Sequence, residues 1–241
     1  MWAVIPVKRF ELAKQRLAQA LPPAIRAALA EAMLEDVLAA LAAVPELQGR
    51  LIISQEPRVL ALAARHDCKV LDEASDSDLC HALEQAALFL EREGVEGILI
   101  VPGDVPLLQA STVSALLRAH DCVTVVPDRD GIGTNCLIVS PPRAITFKFG
   151  IDSARAHQQA ALERGFTAVV RELPEIALDI DSADDLRELQ QRGAATRTQA
   201  VLDAWARSSG ANVIAPRGAA DTGFAEQTHE IQSTELGREP G

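Results

Sequence analysis

The sequence predicts an α/β fold, a central sheet flanked by helices, and three observations predict it. Apolar runs of strand length alternate with stretches of helical spacing over residues 1–192. One pair of runs, 122–127 and 135–140, is joined by an Asp-Arg-Asp-Gly turn region and reads as an antiparallel or hairpin-like insertion, so the sheet is parallel or mixed. Hydrophobic residues are 48% of the 241-residue chain and aromatics only 3%, which allows a sizeable core built from aliphatic side chains.

The elements follow in order. Trp2 to Val7 reads as the first strand, and Lys8 to Arg16 as a loop rich in cations. Pro22 and Pro23 open a long helix to about Val44, with Ile25, Leu29, Met33, Val37 and Leu41 at helical spacing. Arg50–Ser54 is a strand, Pro57–His66 a short helix and Cys68–Leu71 a third strand. An acidic loop, 72–78, leads into a helix over Leu79–Glu93. Residues 97–101 form a buried strand, and Ser111 caps a helix that runs to about residue 119. After the antiparallel pair come a loop to Gly150, a helix over 152–164 and a strand over 167–171. Leu178–Asp181 is an edge strand or loop, and Ser182 caps a helix to about Arg192. Residues 1–210 are expected to form one domain and 211–241 a flexible tail, because the apolar pattern fades there.

The net charge of −11 argues against wrapping nucleic acid or an anionic membrane. No signal peptide and no membrane-spanning run is visible, so a cytoplasmic setting is expected. Cys68, Cys80, Cys122 and Cys136 lack C-x-x-C spacing and read as reduced packing residues. His66, His81, His120 and His157 lack metal spacing and read as surface or core residues.

The most informative stretch is Val101-Pro102-Gly103-Asp104-Val105-Pro106. It places one carboxylate just past the carboxyl end of a central strand, where open α/β sheets bind ligands. Gly103 and Pro106 are expected to shape the turn. Asp179 and Asp181 are two apart, so an extended chain turns both to one side, and two carboxylates there call for a cation. Asp104, Asp179 and Asp181 thus fit a Mg²⁺ site for phosphate chemistry. Lys8, Arg9, Lys14 and Arg16 follow the first strand directly and suggest a phosphate-binding loop, although neither G-x-x-x-x-G-K nor G-x-G-x-x-G is present. Gly131–Asn135 offers backbone N–H groups, a hydroxyl and an amide, and Phe149-Gly150-Ile151 runs into a helix start beside Lys148, an arrangement suited to an anion. Asp78 reads as an N-cap.

In this order the pieces resemble one family: Ile5-Pro6-Val7-Lys8 with Lys14-Gln15-Arg16, then Pro102–Pro106, Gly133-Thr134-Asn135, Phe149–Ser153 and Leu178–Ser182. They look like the CofC/FbiD-type guanylyltransferases of coenzyme F-420 biosynthesis, which charge a phosphorylated three-carbon acid with GTP. The resemblance implies a single-domain nucleotidyltransferase fold, Rossmann-like and of the GT-A type. It implies GTP and Mg²⁺, and an acid such as 3-phospho-D-glycerate, 2-phospho-L-lactate or phosphoenolpyruvate. Carried over residue by residue, Lys8, Lys14 and Arg16 contact the triphosphate, with Asp104, Lys14 and Lys8 closest to the chemistry. Asp104, Asp179 and Asp181 bind magnesium. Thr134, Gly150 and Ser153 hold the acid, and Asp78 and Cys80 lie by the nucleoside. Cys80 stands where the family carries an amide, so backbone groups of the 72–82 loop are expected to read guanine.

The chemistry agrees with the residues. A substrate phosphate is largely dianionic near neutral pH, so a phosphate nucleophile requires no general base, and no Ser-His or Cys-His motif is visible. Two alternatives stay open: another Mg-dependent nucleotidyltransferase, or a non-catalytic nucleotide-binding protein. The first commonly carries a Gly-rich loop after its first strand, whereas this chain has no glycine before Gly49. Oligomeric state is open, with a homodimer one option.

Overall fold

The computed structural model describes residues 1–72 and 78–209. Seven strands form one sheet: β1 (Trp2–Val7), β2 (Gly49–Ser54), β3 (Lys69–Leu71), β4 (Ile98–Ile100), β5 (Val123–Pro127), β6 (Thr134–Val139) and β7 (Ala168–Val170). Their order is β3-β2-β1-β4-β6-β5-β7. β6 pairs antiparallel with both β4 and β5, and the other pairings are parallel. The predicted antiparallel pair is therefore part of the main sheet rather than an insertion beside it.

The helices are α1 (Pro23–Ala42), α2 (Val59–Arg65), α3 (Leu79–Arg92), α4 (Ala110–Arg118), α5 (Ser153–Glu163), α6 (Pro174–Ala177), α7 (Ala183–Arg192) and α8 (Arg197–Ser209). Strand alternation divides the core in two. Ala3, Ile5, Leu99, Val101 and Ile138 face a layer that holds α1, α2, α4, α7 and α8. Val4, Ile53, Ile98, Ile100 and Leu137 face α3 and α5. Cys136, on the first face, is fully enclosed, and burial pushes its thiol up to about 12. All four cysteines are free thiols.

One local expectation is corrected: α4 begins at Ala110 after Gln109, with no side-chain cap, so Ser111 lies inside the helix. Leu178–Asp181 is a loop, the second of the two readings of that stretch, and α6 precedes it, four residues opened by Pro174. α8 follows where no element was assigned. It lies on α1, because Asp36 accepts hydrogen bonds from the Arg197 and Thr198 N–H groups, each at 2.9 Å, and Leu202 joins the core. The expected tail, 211–241, lies outside the described residues.

The order of strands sets the position of the site. From β1 the chain moves outward through β2 to β3, then returns to place β4 on the other side of β1. The segments after β1 and β4 therefore leave the sheet in divergent directions at the same edge. That is the topological switch point at which open α/β sheets form a crevice.

Candidate active site

A cleft of about 730 Å³ opens at that edge. Lys8, Lys14 and Arg16 from the segment after β1 line it, with Asp78 and Leu79 at the start of α3, Gly103 and Asp104 after β4, and Asp181. Gly103 is not at positive φ; it is small because a Cβ there would lie 3.2 Å from Leu34 Cδ1. The turn is thus shaped by packing against α1 rather than by glycine's conformational freedom.

Lys14 is the centre of the cleft. Its Nζ donates to Asp104 Oδ2 at 2.6 Å and to Asp181 Oδ1 at 2.8 Å, and its side chain is only 7% exposed. Burial works against the Lys14 charge, yet the two carboxylates outweigh it and raise its pKa. Burial likewise opposes the Asp181 charge, and Lys14, Arg16 and Lys8 overcome it, holding the carboxyl below its usual range. Arg16 is largely exposed and reaches Asp181 Oδ2 at 3.8 Å.

The expected convergence of Asp104, Asp179 and Asp181 on one point is not present. Among the described residues no three His, Cys, Asp or Glu side chains stand together as a metal cluster. The Lys14 ammonium sits between Asp104 and Asp181 instead and supplies the counter-charge that two facing carboxylates require. Asp179 Oδ1 accepts from Asn135 Nδ2 at 3.1 Å. Burial, helped by the charges of Asp104 and Asp181, outweighs that hydrogen bond and raises the Asp179 carboxyl above its usual range. Asp104 Oδ1 is buried and has no hydrogen-bond partner among the described residues. As hard-oxygen donors the Asp104, Asp179 and Asp181 carboxylates suit Mg²⁺ in chemistry, and the unpartnered Asp104 Oδ1 has lone pairs to offer it.

Glu56, which the motifs left out, and Asn135, which they held in another role, hold this geometry. Glu56, after β2, accepts from the Phe10 N–H at 2.8 Å and so pins the segment that carries Lys8, Lys14 and Arg16. Asn135 lies within 3.0–3.1 Å of the Ile176 and Ala177 carbonyls and of Asp179, and so clips the Asp179–Asp181 loop to β6. The Ile180 N–H completes the link by donating to the Asp104 carbonyl at 3.1 Å. A Ser-x-Glu step after a strand carries no distinctive signal. Asn135 was visible within its motif, but as an amide facing a ligand rather than as a clip.

Thr134, Gly150 and Ser153 do not line the cleft. Thr134 and Ser153 are buried, and Gly150 is exposed with φ 132°. The Gly131–Gly133 segment does not present open N–H groups. Its Ile132 and Gly133 N–H groups donate to the Asp128 carboxylate at 2.9 and 2.8 Å. A Cβ at Gly133 would lie 2.5 Å from Asp128 Oδ2, so glycine is needed for this closure. At the start of α5, the Ala154 N–H donates to the Ile132 carbonyl at 3.0 Å, which joins the two segments. Asp78 is the N-cap of α3, accepting from the His81 N–H at 2.8 Å. Cys80 does not line the cleft; its thiol points to the Phe149 carbonyl at 3.6 Å. Residues 73–77 of the expected guanine-reading loop lie outside the described residues.

Residues 1–218 match the family described as "Guanylyl transferase CofC like". The chain belongs to this family. Among CofC-like relatives, a phosphoenolpyruvate guanylyltransferase from Conexibacter woesei is 36% identical over 220 residues, covering 88% of this chain and 99% of that protein. A 2-phospho-L-lactate guanylyltransferase from Methanothermobacter thermautotrophicus is 38% identical, covering 83% of this chain and 88% of that one. A 3-phospho-D-glycerate guanylyltransferase from Phenylobacterium zucineum is 35% identical, covering 83% and 94%. A solved structure from Desulfovibrio desulfuricans, described as a nucleotide-diphospho-sugar transferase, superposes with a TM-score of 0.68 at 17% identity. It covers 86% of this chain and 96% of that one, and it shows that the CofC-like chain has the nucleotidyltransferase fold.

Proposed function

We propose that the protein transfers a guanylyl group from GTP to a phosphorylated three-carbon carboxylic acid, with release of pyrophosphate, in coenzyme F-420 biosynthesis. The observation that carries this is Lys14, buried between Asp104 and Asp181 in a cleft that Lys8 and Arg16 also line. Cations and carboxylates stand side by side there, as a reaction between two anions requires. A phosphate oxygen of the acid attacks the α-phosphorus of GTP, a P–O–P bond forms, and the bond to pyrophosphate breaks. The nucleophile is already ionised, so the residues position charge rather than move a proton. Lys8, Lys14 and Arg16 bind the triphosphate and balance the charge on the leaving group. Asp104, Asp179 and Asp181 are the residues that would hold Mg²⁺, which when bound neutralises charge on the phosphates. Thr134, Gly150 and Ser153 bind the acid, and Asp78 with its loop lies by the nucleoside.

The relatives act on three different acids, so the family leaves the choice of acid open, and we propose the class they share. We place the enzyme in the cytoplasm, a reading supported by four free thiols and by the lack, among the described residues, of a helix long and apolar enough to cross a membrane. Pyrophosphate release with GTP plus each of phosphoenolpyruvate, 2-phospho-L-lactate and 3-phospho-D-glycerate, with and without Mg²⁺, tests the proposal. Wild type turns over at least one acid only with Mg²⁺. Asp104→Asn lowers kcat by about 100-fold or more, the scale for losing one group that stabilises transition-state charge, while the fold is kept because Asp181 still pairs with Lys14. Turnover by ATP, CTP and UTP equal to that by GTP would remove the guanylyl assignment.

A further inference from the structure

His157 is a fully buried polar side chain outside the cleft, and its ring lies against Thr134, the Lys148 N–H and Phe149. Its relative exposure is 0%, and it lies on α5 one turn after Ser153. The Lys148 backbone N–H lies 3.0 Å from Nε2, and Thr134 Oγ1 lies 3.1 Å from Nδ1. The Phe149 ring meets the imidazole edge-on, with centroids 4.7 Å apart. One ring thus joins the start of β6, the segment before Gly150 and the first turn of α5.

The hydrogen bonds fix the tautomer. A backbone N–H only donates, so Nε2 is the acceptor and carries no proton. Burial pushes the His157 pKa down to about 4, so the ring is neutral near pH 7 and its single proton is on Nδ1. Nδ1–H then donates to Thr134 Oγ1. A hydroxyl that accepts from the ring has its own proton directed elsewhere, and among the described residues no acceptor takes it. The Ser153 hydroxyl also lacks a hydrogen bond among the described residues, although the residue is only 2% exposed. Two hydroxyls, of Thr134 and Ser153, are thus left without acceptors among the described residues, and Gly150, exposed at positive φ, lies three residues before Ser153.

We propose that His157 is a positioning residue, which by accepting from Lys148 N–H and donating to Thr134 directs the Thr134 hydroxyl proton toward the incoming acid. The proposal rests on the reading of Thr134, Gly150 and Ser153 as the acid site. The ring touches neither the GTP cleft nor the reacting atoms and acts only through Thr134.

Side-chain amides separate its two roles. Asparagine places an N–H donor near the position of Nδ1, whereas glutamine places its amide near Nε2. His157→Asn therefore keeps the bond to Thr134, and His157→Gln keeps only the bond to Lys148. Initial rates are measured with GTP and each of the three acids, on wild type, His157→Gln, His157→Asn, Thr134→Val and the double variant His157→Gln/Thr134→Val. His157→Gln is expected to raise KM for the acid about tenfold, the scale of one lost hydrogen bond to a charged group, and to leave KM for GTP within about twofold. His157→Asn recovers most of the loss. Thr134→Val raises KM for the acid by a similar factor, and adding His157→Gln to it changes little, because the ring has no hydroxyl left to direct. Nitrogen-15 spectra of the wild-type imidazole need no variant and are expected to show a neutral ring protonated at Nδ1. Independent effects in the double variant, an equal rise in both KM values, or a ring protonated at Nε2 would overturn the proposal. Absence of transfer to every acid by wild type would remove the acid-site reading and this inference with it. Active wild type with independent effects removes the inference alone.

Discussion

Lys14 has an unusual backbone as well as a buried charge. Its φ of 55° and ψ of 42° are left-handed, a conformation that costs a non-glycine residue about 1–2 kcal/mol. Arg26, buried in α1, donates to the Lys14 carbonyl at 3.3 Å and helps to hold it there. Asp104 and Asp181 hold the other end, so backbone and side chain are fixed from opposite sides. Strain of this kind persists where the surroundings over-determine a residue, and here they point its ammonium into the cleft. Lys14→Met keeps the length of the side chain and removes the charge. The two carboxylates then face each other without a cation between them. Allowing for solvent around the half-exposed Asp181, the loss of stability is expected to be about 1–3 kcal/mol. The loss in kcat/KM with GTP should be larger in proportion, at least about 100-fold, because the phosphates lose a cation as well. Denaturant unfolding and steady-state kinetics on the same preparation compare the two. A variant that unfolds more easily yet turns over like wild type would confine Lys14 to structure.

At the scale of elements, the cation segment is short and lacks a regular helix, so its shape depends on what it is tied to. Two 3-10 turns, Phe10–Leu12 and Gln15–Leu17, carry it from β1 to α1. Phe10 is buried, its N–H is bound by Glu56, and the Arg58 guanidinium lies over its ring at 4.8 Å. Burial opposes the Glu56 charge, but the Phe10 N–H and Arg58 outweigh it and lower its pKa. A carboxyl whose pKa is lowered by folding stabilises the fold above its ordinary pKa, and that contribution fades as pH falls through the lowered value. Glu56→Gln is therefore expected to cost about 1–2 kcal/mol at pH 7, the scale of charged hydrogen bonds, and to raise KM for GTP more than KM for the acid. The stability gap to wild type should close as pH drops below about 4, the ordinary carboxyl range. A gap independent of pH would show that the charge of Glu56 is not what holds the segment. This anchor also marks a limit of the sequence. The seven strands and the long helices were legible because their apolar periodicity is local. So was the edge at which Asp104 and the cations lie, since each follows directly on a strand. The bonds that shape the site were not legible: Lys14 to Asp181, Phe10 to Glu56 and Asn135 to Asp179 join residues 167, 46 and 44 positions apart. The open N–H groups expected at Gly131–Gly133 failed for a related reason, because spacing does not reveal that Asp128 folds back onto them.

Across the whole molecule, the cleft wall rests on α1, and α1 in turn is covered by α8, a helix that the sequence pattern did not mark. α1 contributes Ala30, Met33 and Leu34 to the cleft wall, and Leu29, Val37, Leu38 and Leu41 to the core. Such a helix is apolar over most of its circumference, so its periodicity tells little about which side faces the sheet. A second layer must cover the side turned away, and α8 does so with Leu202 in the core and Trp205 packed against it. Asp36 joins the layers: it caps α8 through the Arg197 and Thr198 N–H groups and accepts from the Thr198 hydroxyl at 2.7 Å. Thr198 is fully buried, so loss of that acceptor leaves a polar group unsatisfied. Neither Asp36 nor any residue of α8 lines the cleft. Asp36→Ala should therefore separate stability from activity. It is expected to cost about 1–2 kcal/mol, as for a lost N-cap, or roughly 2–8 °C in Tm for a domain of this size. Below the transition, kcat/KM should remain within about twofold of wild type, an energy difference of under 0.5 kcal/mol. Hydrogen exchange should show α8 amides losing protection while those of β1 and β4 keep theirs, as local opening of one layer requires. If β1 and β4 lose protection equally, α8 is part of the cooperative core and the second layer is not a separable support.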